Sequence, residues 1–211
     1  MDPTPVEIVA VREVGPGTLA LELETPAGFE ATPGQFVQLR RSIDGEPVTR
    51  HYSISSPFVE ETFEITVEID PDGTLTPTLA AATPGETVEI DGPFGRVHYE
   101  DEDAVVAIGS GPGVGPAVGI AERTIREGGD AAVVVHGDAL VHGNRLAQLA
   151  AGGATVVFLR DRGRLTAALE LVPTAGRRPF VYGFRAFVDV AREALEAAGV
   201  DPETARVENF G

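Results

Sequence analysis

One change of rhythm constrains this chain more than any other feature. Up to about residue 100, apolar residues recur at every second position in short stretches cut by Pro/Gly turns; beyond it, continuous apolar runs alternate with helical segments. A period of two describes half-buried strands, whereas apolar runs separated by amphipathic stretches describe parallel strands with crossover helices. Strands are expected over 6–11, 19–24, 36–39, 63–69 and 87–90, with a helical turn near 76–82. Turn signals at Gly15-Pro16-Gly17, Pro33-Gly34, Asp72-Gly73 and Pro84-Gly85 recur at intervals that suit a small antiparallel barrel. After the acidic stretch 99–103, strands are expected over 104–108, 131–135, 155–159 and 180–182, and helices over 116–127, 145–151, 166–171 and 186–198. In the last helix Phe187, Val190, Ala191, Ala194, Leu195 and Ala198 mark one face, and Gly199 ends it. The expected architecture has two domains: an antiparallel β-barrel over 1–100, then an α/β parallel-sheet domain over 101–211.

Composition narrows the chemistry. The chain has no cysteine, which excludes disulfides, thiolate metal sites, cysteine-held iron–sulfur clusters and a cysteine nucleophile. Its histidines, His51, His98, His136 and His142, show no paired ligand spacing, so no metal site is expected. Redox chemistry would need an organic cofactor. The net charge is −17, and all 16 basic residues are arginine. Such a surface repels itself unless salt screens it, which points to a salt-rich interior; an ordinary acidic cytosolic protein is the plainer reading. No basic cluster is present to replace counterions along phosphates, so no nucleic-acid partner is expected. No apolar run is long enough to cross a bilayer, and Met1-Asp2-Pro3-Thr4-Pro5 lacks the basic start of a secretory signal; a cytoplasmic location is expected.

The segment Gly109-Ser110-Gly111-Pro112-Gly113-Val114-Gly115-Pro116 follows a buried strand and opens a helix. Glycines there let backbone N–H groups approach a pyrophosphate, and the helix start adds a favourable dipole. The same glycines can instead serve tight strand-to-helix packing. Pro116 suits a first helical turn. Asp138, just after the second strand of this half, is a candidate acceptor for a ribose hydroxyl, or simply a solvated loop aspartate.

Arg50-His51-Tyr52-Ser53 gathers a fixed cation, an aromatic ring and a hydroxyl. Arginine can hold a diphosphate, a tyrosine ring can cover a flavin face, and serine can hydrogen-bond beside a reactive ring nitrogen. Taken alone, the segment reads more readily as a strand with an exposed arginine and a core tyrosine.

Arg50-His51-Tyr52-Ser53 is similar to the R-x-Y-S/T motif of the ferredoxin–NADP reductase family, and other segments follow in that family's order. Pro71 to Leu79, with Gly73, Leu75 and Thr76, resembles the stretch that holds the FAD diphosphate. Gly92-Pro93-Phe94-Gly95 resembles the end of the family's barrel. The glycine loop, Val181-Tyr182-Gly183-Phe184, and the terminal Val207-Glu208-Asn209-Phe210-Gly211 complete the series. The resemblance implies FAD and NADP or NAD as cofactors, with hydride moving between the nicotinamide and flavin N5. It also implies one-electron exchange with a ferredoxin or similar carrier. Arg50, His51, Tyr52, Ser53, Gly73, Leu75 and Thr76 are then flavin contacts. Gly111, Pro112, Gly113, Asp138, Arg160, Tyr182 and Gly183 are nucleotide contacts, and Ser53, Tyr182, Glu208 and Phe210 surround the reacting atoms.

Several positions depart from the family. Tyr182 stands where many members have cysteine, Ala139 replaces an arginine that holds the NADP 2′-phosphate, and Leu159-Arg160 replaces a Ser-Arg pair. Arg162 and Arg164 lie close by, whereas Asp138 favours NAD. A redox-sensing subunit without turnover, or a reductase serving an oxygenase component, free flavin or ferric iron, are the alternatives. Such reductases meet acidic ferredoxins through basic surface, which the net charge of this chain opposes; a local arginine patch, for instance one including Arg40 and Arg41, could still serve.

Overall fold

The computed structural model describes residues 3–211; Met1 and Asp2, which opened the N-terminal reading, lie outside the described residues. Thr4–Gly15 (β1) and Thr18–Glu24 (β2) pair antiparallel, and Gly17 takes φ +66° in the turn between them. Phe36–Ile43 (β3) and Glu46–Ser53 (β4) form a second hairpin around Asp44 and Gly45, both at positive φ. Thr62–Glu68 (β5), the short helix Thr76–Ala80 (α1) and Thr87–Phe94 (β6) complete this half. The strand order is β4-β3-β6-β1-β2-β5. Its two ends meet where Ile54 bridges Ile65 and Ser55 N donates to Glu64 O at 2.8 Å, closing the barrel. The alternating residues Ile8, Leu21, Leu23, Val37, Leu39, Phe63, Ile65 and Val67 fill its interior.

β4 was not among the strands that periodicity marked. Its residues bury partly and in pairs rather than alternately, because one face of this edge strand opens onto a cavity. Pairing with β3 along its whole length makes it a strand.

The second half is a parallel sheet in the order β11-β10-β7-β8-β9. It contains Ala104–Ser110 (β7), Val114–Arg126 (α2), Asp130–His136 (β8), Gly143–Ala151 (α3), Thr155–Leu159 (β9), Leu165–Leu171 (α4), Arg178–Gly183 (β10), Arg185–Ala197 (α5) and Arg206–Asn209 (β11). Val105, Val106, Ala107 and Ile108 of the central strand are fully buried, as expected where helices cover both faces. Phe180 and Tyr182 pack with Val114, Val118 and Leu146, on the face of α2 and α3; Val181 packs with Leu169, Val188 and Leu195, on the face of α4 and α5. From β7 the chain runs outward through β8 and β9, then crosses back to β10. The end of β7 is therefore the switch point of the sheet, where ligands of such folds bind. The terminal segment forms β11 parallel to β10, with Tyr182 opposite Glu208.

The two halves meet closely. Thr62, Glu64, Thr66 and Glu68 alternate with the core residues of β5 and form its outer face. On that face a Cβ at Gly115 of α2 would come within 2.1 Å of Thr66 Oγ1, and one at Gly119 within 2.5 Å of Ser55 O. Arg145 of α3 binds Glu64 at 2.7 Å, Glu122 at 2.8 Å and Ser55 O at 2.7 Å. The buried His142 meets Thr66 Oγ1 at 2.8 Å. Among the described residues no helix is long and apolar enough to cross a membrane.

Candidate functional site

A cavity of about 680 Å³ lies between the halves, within the range of small-molecule sites. Arg50, His51, Tyr52 and Ser53 enter it from β4, and Gly73, Leu75 and Thr76 from the turn before α1. Pro112, Phe184, Glu208, Asn209 and Phe210 enter from the parallel-sheet half. Segments more than 150 residues apart in the chain thus face one space.

Each wall has a local cause. The turn at Asp70 is fixed by Gly73 N donating to Asp70 O at 3.0 Å, Asp72 N to Asp70 Oδ1 at 3.0 Å, and Asp70 N to Thr76 Oγ1 at 3.0 Å. Thr76 Oγ1 also donates to Asp70 O at 3.1 Å, so this hydroxyl is engaged within the turn. A Cβ at Gly73 would stand 3.1 Å from Asp70 O, which leaves glycine the natural occupant. The chain end is tied down: Phe210 N donates to Gly183 O at 3.1 Å, and the Phe210 ring meets Phe184 edge-on at 6.0 Å.

The polar groups of this cavity are largely without protein partners. Arg50 donates to the neighbouring Thr49 O at 2.8 Å and, among the described residues, pairs with no acid. The Tyr52 hydroxyl is buried and has no hydrogen-bond partner. Burial pushes it up to about 12, against the opposing influence of Arg50. His51 is held by Gln38 at 3.0 Å and edge-on to Phe36 at 5.4 Å. Glu68 and Glu208, which face each other's halves across the cavity, are both raised above the usual carboxylate range by burial. A free cation, an orphaned buried hydroxyl, an aromatic ring and a glycine turn in one cavity fit a flavin dinucleotide.

The glycine loop divides its roles. A Cβ at Gly109 would meet Gly113 O at 2.5 Å, and one at Gly113 would meet Tyr182 O at 2.3 Å; these positions serve packing. Gly111 instead takes φ +58°, and a Cβ there would come nearest to the Glu68 carboxylate, at 3.2 Å. Gly111 therefore faces the junction with the barrel, while Gly113 packs against β10. Asp138 and Arg160 do not line the cavity; they follow β8 and β9 at the same edge of the sheet as the glycine loop. There Ser110 Oγ meets His136 Nδ1 at 3.0 Å.

Tyr182 differs from its assigned place among the reacting groups. Its side chain is fully buried and its hydroxyl donates to Val97 O at 2.7 Å, so it meets the glycine loop from within the core through its backbone and Cβ. Alternation along β10 turns residue 182 toward the barrel linker, away from the cavity. Gly183 ends the strand, where a Cβ would meet the Phe187 ring at 2.8 Å. The candidate patch at Arg40 and Arg41 stands beside acids: Arg41 binds Glu86 at 2.5 Å, and the partly exposed Arg40 lies 3.8 Å from Glu89. Thr66 and Glu68 escaped the sequence reading, although their polar alternation against Phe63, Ile65 and Val67 is visible in it.

Residues 5–99 match the family model of the oxidoreductase FAD-binding domain. The chain is 28% identical over 228 residues to the ferredoxin reductase component of 3-ketosteroid-9-alpha-monooxygenase from Mycolicibacterium smegmatis, covering 97% of this chain and 65% of that one. It is 36% identical over 108 residues to the glycine betaine monooxygenase reductase subunit of Pseudomonas aeruginosa, covering 49% of this chain and 30% of that one. The chain thus spans less than two thirds of the length of these relatives. Among solved structures, a ferredoxin NADP+ reductase from Neisseria gonorrhoeae with bound FAD and NADP superimposes with a TM-score of 0.84 at 20% identity, each chain covered over 100% of its length. The barrel half thus matches an FAD-binding oxidoreductase domain, and the whole chain is similar in fold and in the order of its motifs to ferredoxin–NADP reductases.

Proposed function

We propose that the protein is an FAD-dependent NAD(P)H oxidoreductase, built from a flavin domain over 1–100 and a nucleotide domain over 101–211. The observation that carries this reading is the single cavity walled by β4 and the Asp70 turn on one side and by Pro112, Phe184 and Glu208 to Phe210 on the other. A bound flavin would supply hydride acceptance at N5 and one-electron release. Arg50 would neutralise diphosphate charge, the Tyr52 ring would cover the flavin, and Ser53 would donate beside N5. Phe184 and Phe210 would exclude water. Gly111 and Pro112 would border the dinucleotide, with Gly183 at the nicotinamide end. Arg160, Arg162 and Arg164 favour NADP and Asp138 favours NAD, so the titration below uses both.

The carrier that takes the electrons is, in this proposal, a ferredoxin or an oxygenase component, in keeping with the reductase names of the relatives. The paired state of Arg40 and Arg41 argues against docking through that patch. Anaerobic titration of the FAD-reconstituted protein with NADH and with NADPH tests the proposal: the flavin absorbance should bleach with one or both. A protein that binds no FAD, or whose flavin stays oxidised with both donors, refutes it; binding without bleaching would favour the sensing subunit. We also propose a salt-rich cytoplasm as its setting, from the charge of −17 and the absence of lysine. Equal stability in dilute buffer and molar salt would sink that part.

A further inference from the structure

The outer face of β5 ends on a group that the proposed function leaves idle. Glu64 is held by Arg145 and Arg12, and Thr66 by His142, but Glu68 has no hydrogen-bond or ion-pair partner among the described residues. It lines the cavity, and its Oε2 would lie 3.2 Å from a Cβ on Gly111. Gly111 is the open, positive-φ glycine of the loop, where backbone can approach a diphosphate. A carboxylate therefore stands over the place that would receive an anion. The turn Gly111-Pro112-Gly113 and the facing Thr18 of β2 offer it no countercharge. The ionisable groups that share its cavity are Arg50, His51 and Tyr52 of β4, Asp70, and Glu208 of β11.

We propose that Glu68 sets dinucleotide affinity by opposition: its ionised carboxylate repels the nucleotide diphosphate at Gly111, so binding tightens when that charge is removed or screened. This rests on the nucleotide reading of the glycine loop. An opposing charge makes affinity rise with ionic strength at this contact, the reverse of an ordinary anion site. Partial burial holds the Glu68 carboxyl above its usual range, so the opposition weakens as pH falls toward the titration of that group.

The test compares FAD-loaded wild type, Glu68→Gln and Glu68→Ala with Glu193→Gln, which removes an exposed charge from α5 outside the cavity. Dissociation constants for NAD+ and NADP+ are measured by flavin difference spectra, from the lowest salt at which all four keep their circular dichroism up to molar salt. Removing one unit charge a few ångströms from a diphosphate should lower the dissociation constant about tenfold at low salt. The gap should close at high salt, and Glu193→Gln should follow the wild type. Unchanged or weaker binding in both Glu68 variants overturns the proposal alone, weaker binding marking Glu68 as an acceptor of a nucleotide hydrogen bond. A wild type that binds neither nucleotide at any salt overturns the nucleotide reading and this proposal together.

Discussion

Replacing Arg145 by methionine should loosen the two halves of the molecule. The side chain is mostly buried, and its guanidinium binds Glu64 at 2.7 Å, Glu122 at 2.8 Å and the carbonyl of Ser55 at 2.7 Å. Methionine keeps much of the apolar stem but strands two carboxylates that are themselves nearly buried. Breaking a buried pair by removing one partner costs about 3–5 kcal/mol. Arg12 still holds Glu64 at 2.8 Å, so the lower figure, about 3 kcal/mol, is expected. At about 2–4 °C per kcal/mol for a chain of this size, the melting temperature should fall by about 6–12 °C.

The assay is thermal unfolding followed by circular dichroism, with the triple variant Arg145→Met, Glu64→Gln, Glu122→Gln beside the single one. Removing all three charges should restore most of the loss, because an apolar or neutral set in place of a buried ion cluster is often neutral. The pH profile gives a second reading. Burial raises the Glu64 carboxyl, but Arg145, His142, Ser55 and Arg12 together outweigh it and hold the group below its usual range. A depressed carboxylate contributes stability above its unfolded value and loses it as pH falls through the folded one. Acid sensitivity should therefore shrink in Arg145→Met. A loss below about 1 kcal/mol, the level of an exposed pair, or a triple variant no better than the single, would refute the buried-cluster account.

Further perturbations separate packing from binding. Gly113→Ala places a Cβ 2.3 Å from Tyr182 O and should cost about 3 kcal/mol or more in urea unfolding. Gly111→Ala, strained only by φ +58°, should cost about 1 kcal/mol; equal losses would contradict the division of the loop. Tyr52→Phe removes a buried hydroxyl with no protein partner, so the flavin-free protein should be no less stable while FAD binds more weakly, read by flavin fluorescence. Burial, then Arg145, push His142 down to about 4. The unfolded chain then binds the extra proton, and stability should rise with pH from about 4 to about 6.5, by about 3 kcal/mol in all. His142→Gln should flatten that slope, and an unchanged slope assigns it elsewhere.

Most of the scaffold was legible because its burial is one-sided. The barrel interior is one parity of each strand, and the helix start after the glycine loop shifted only from Pro116 to Val114. What escaped shares a different cause. β4 turns one face to a cavity and β11 pairs with a strand that lies before α5 in the chain, so neither carries its own rhythm. The Arg145 cluster joins residues 23 and 81 positions apart, and no local pattern records such pairing. Tyr182 was placed among the reacting groups by resemblance alone, whereas strand alternation puts its side chain on the face of β10 opposite that of Val181, in the core beneath α2 and α3.

The same rule applied to β5 shows how docking and site are linked. Glu64, Thr66 and Glu68 share one face, spaced by two residues, or about 6.8 Å along an antiparallel strand. The first anchors Arg145, the second receives His142 and abuts Gly115, and the third stands against Gly111. One rigid strand therefore sets both the seating of α2 on the barrel and the distance between the Glu68 charge and the glycine loop. On the nucleotide reading proposed for the glycine loop, affinity at Gly111 would thus be tied to the Glu64–Arg145 cluster, which lies four residues back along β5 and outside the cavity.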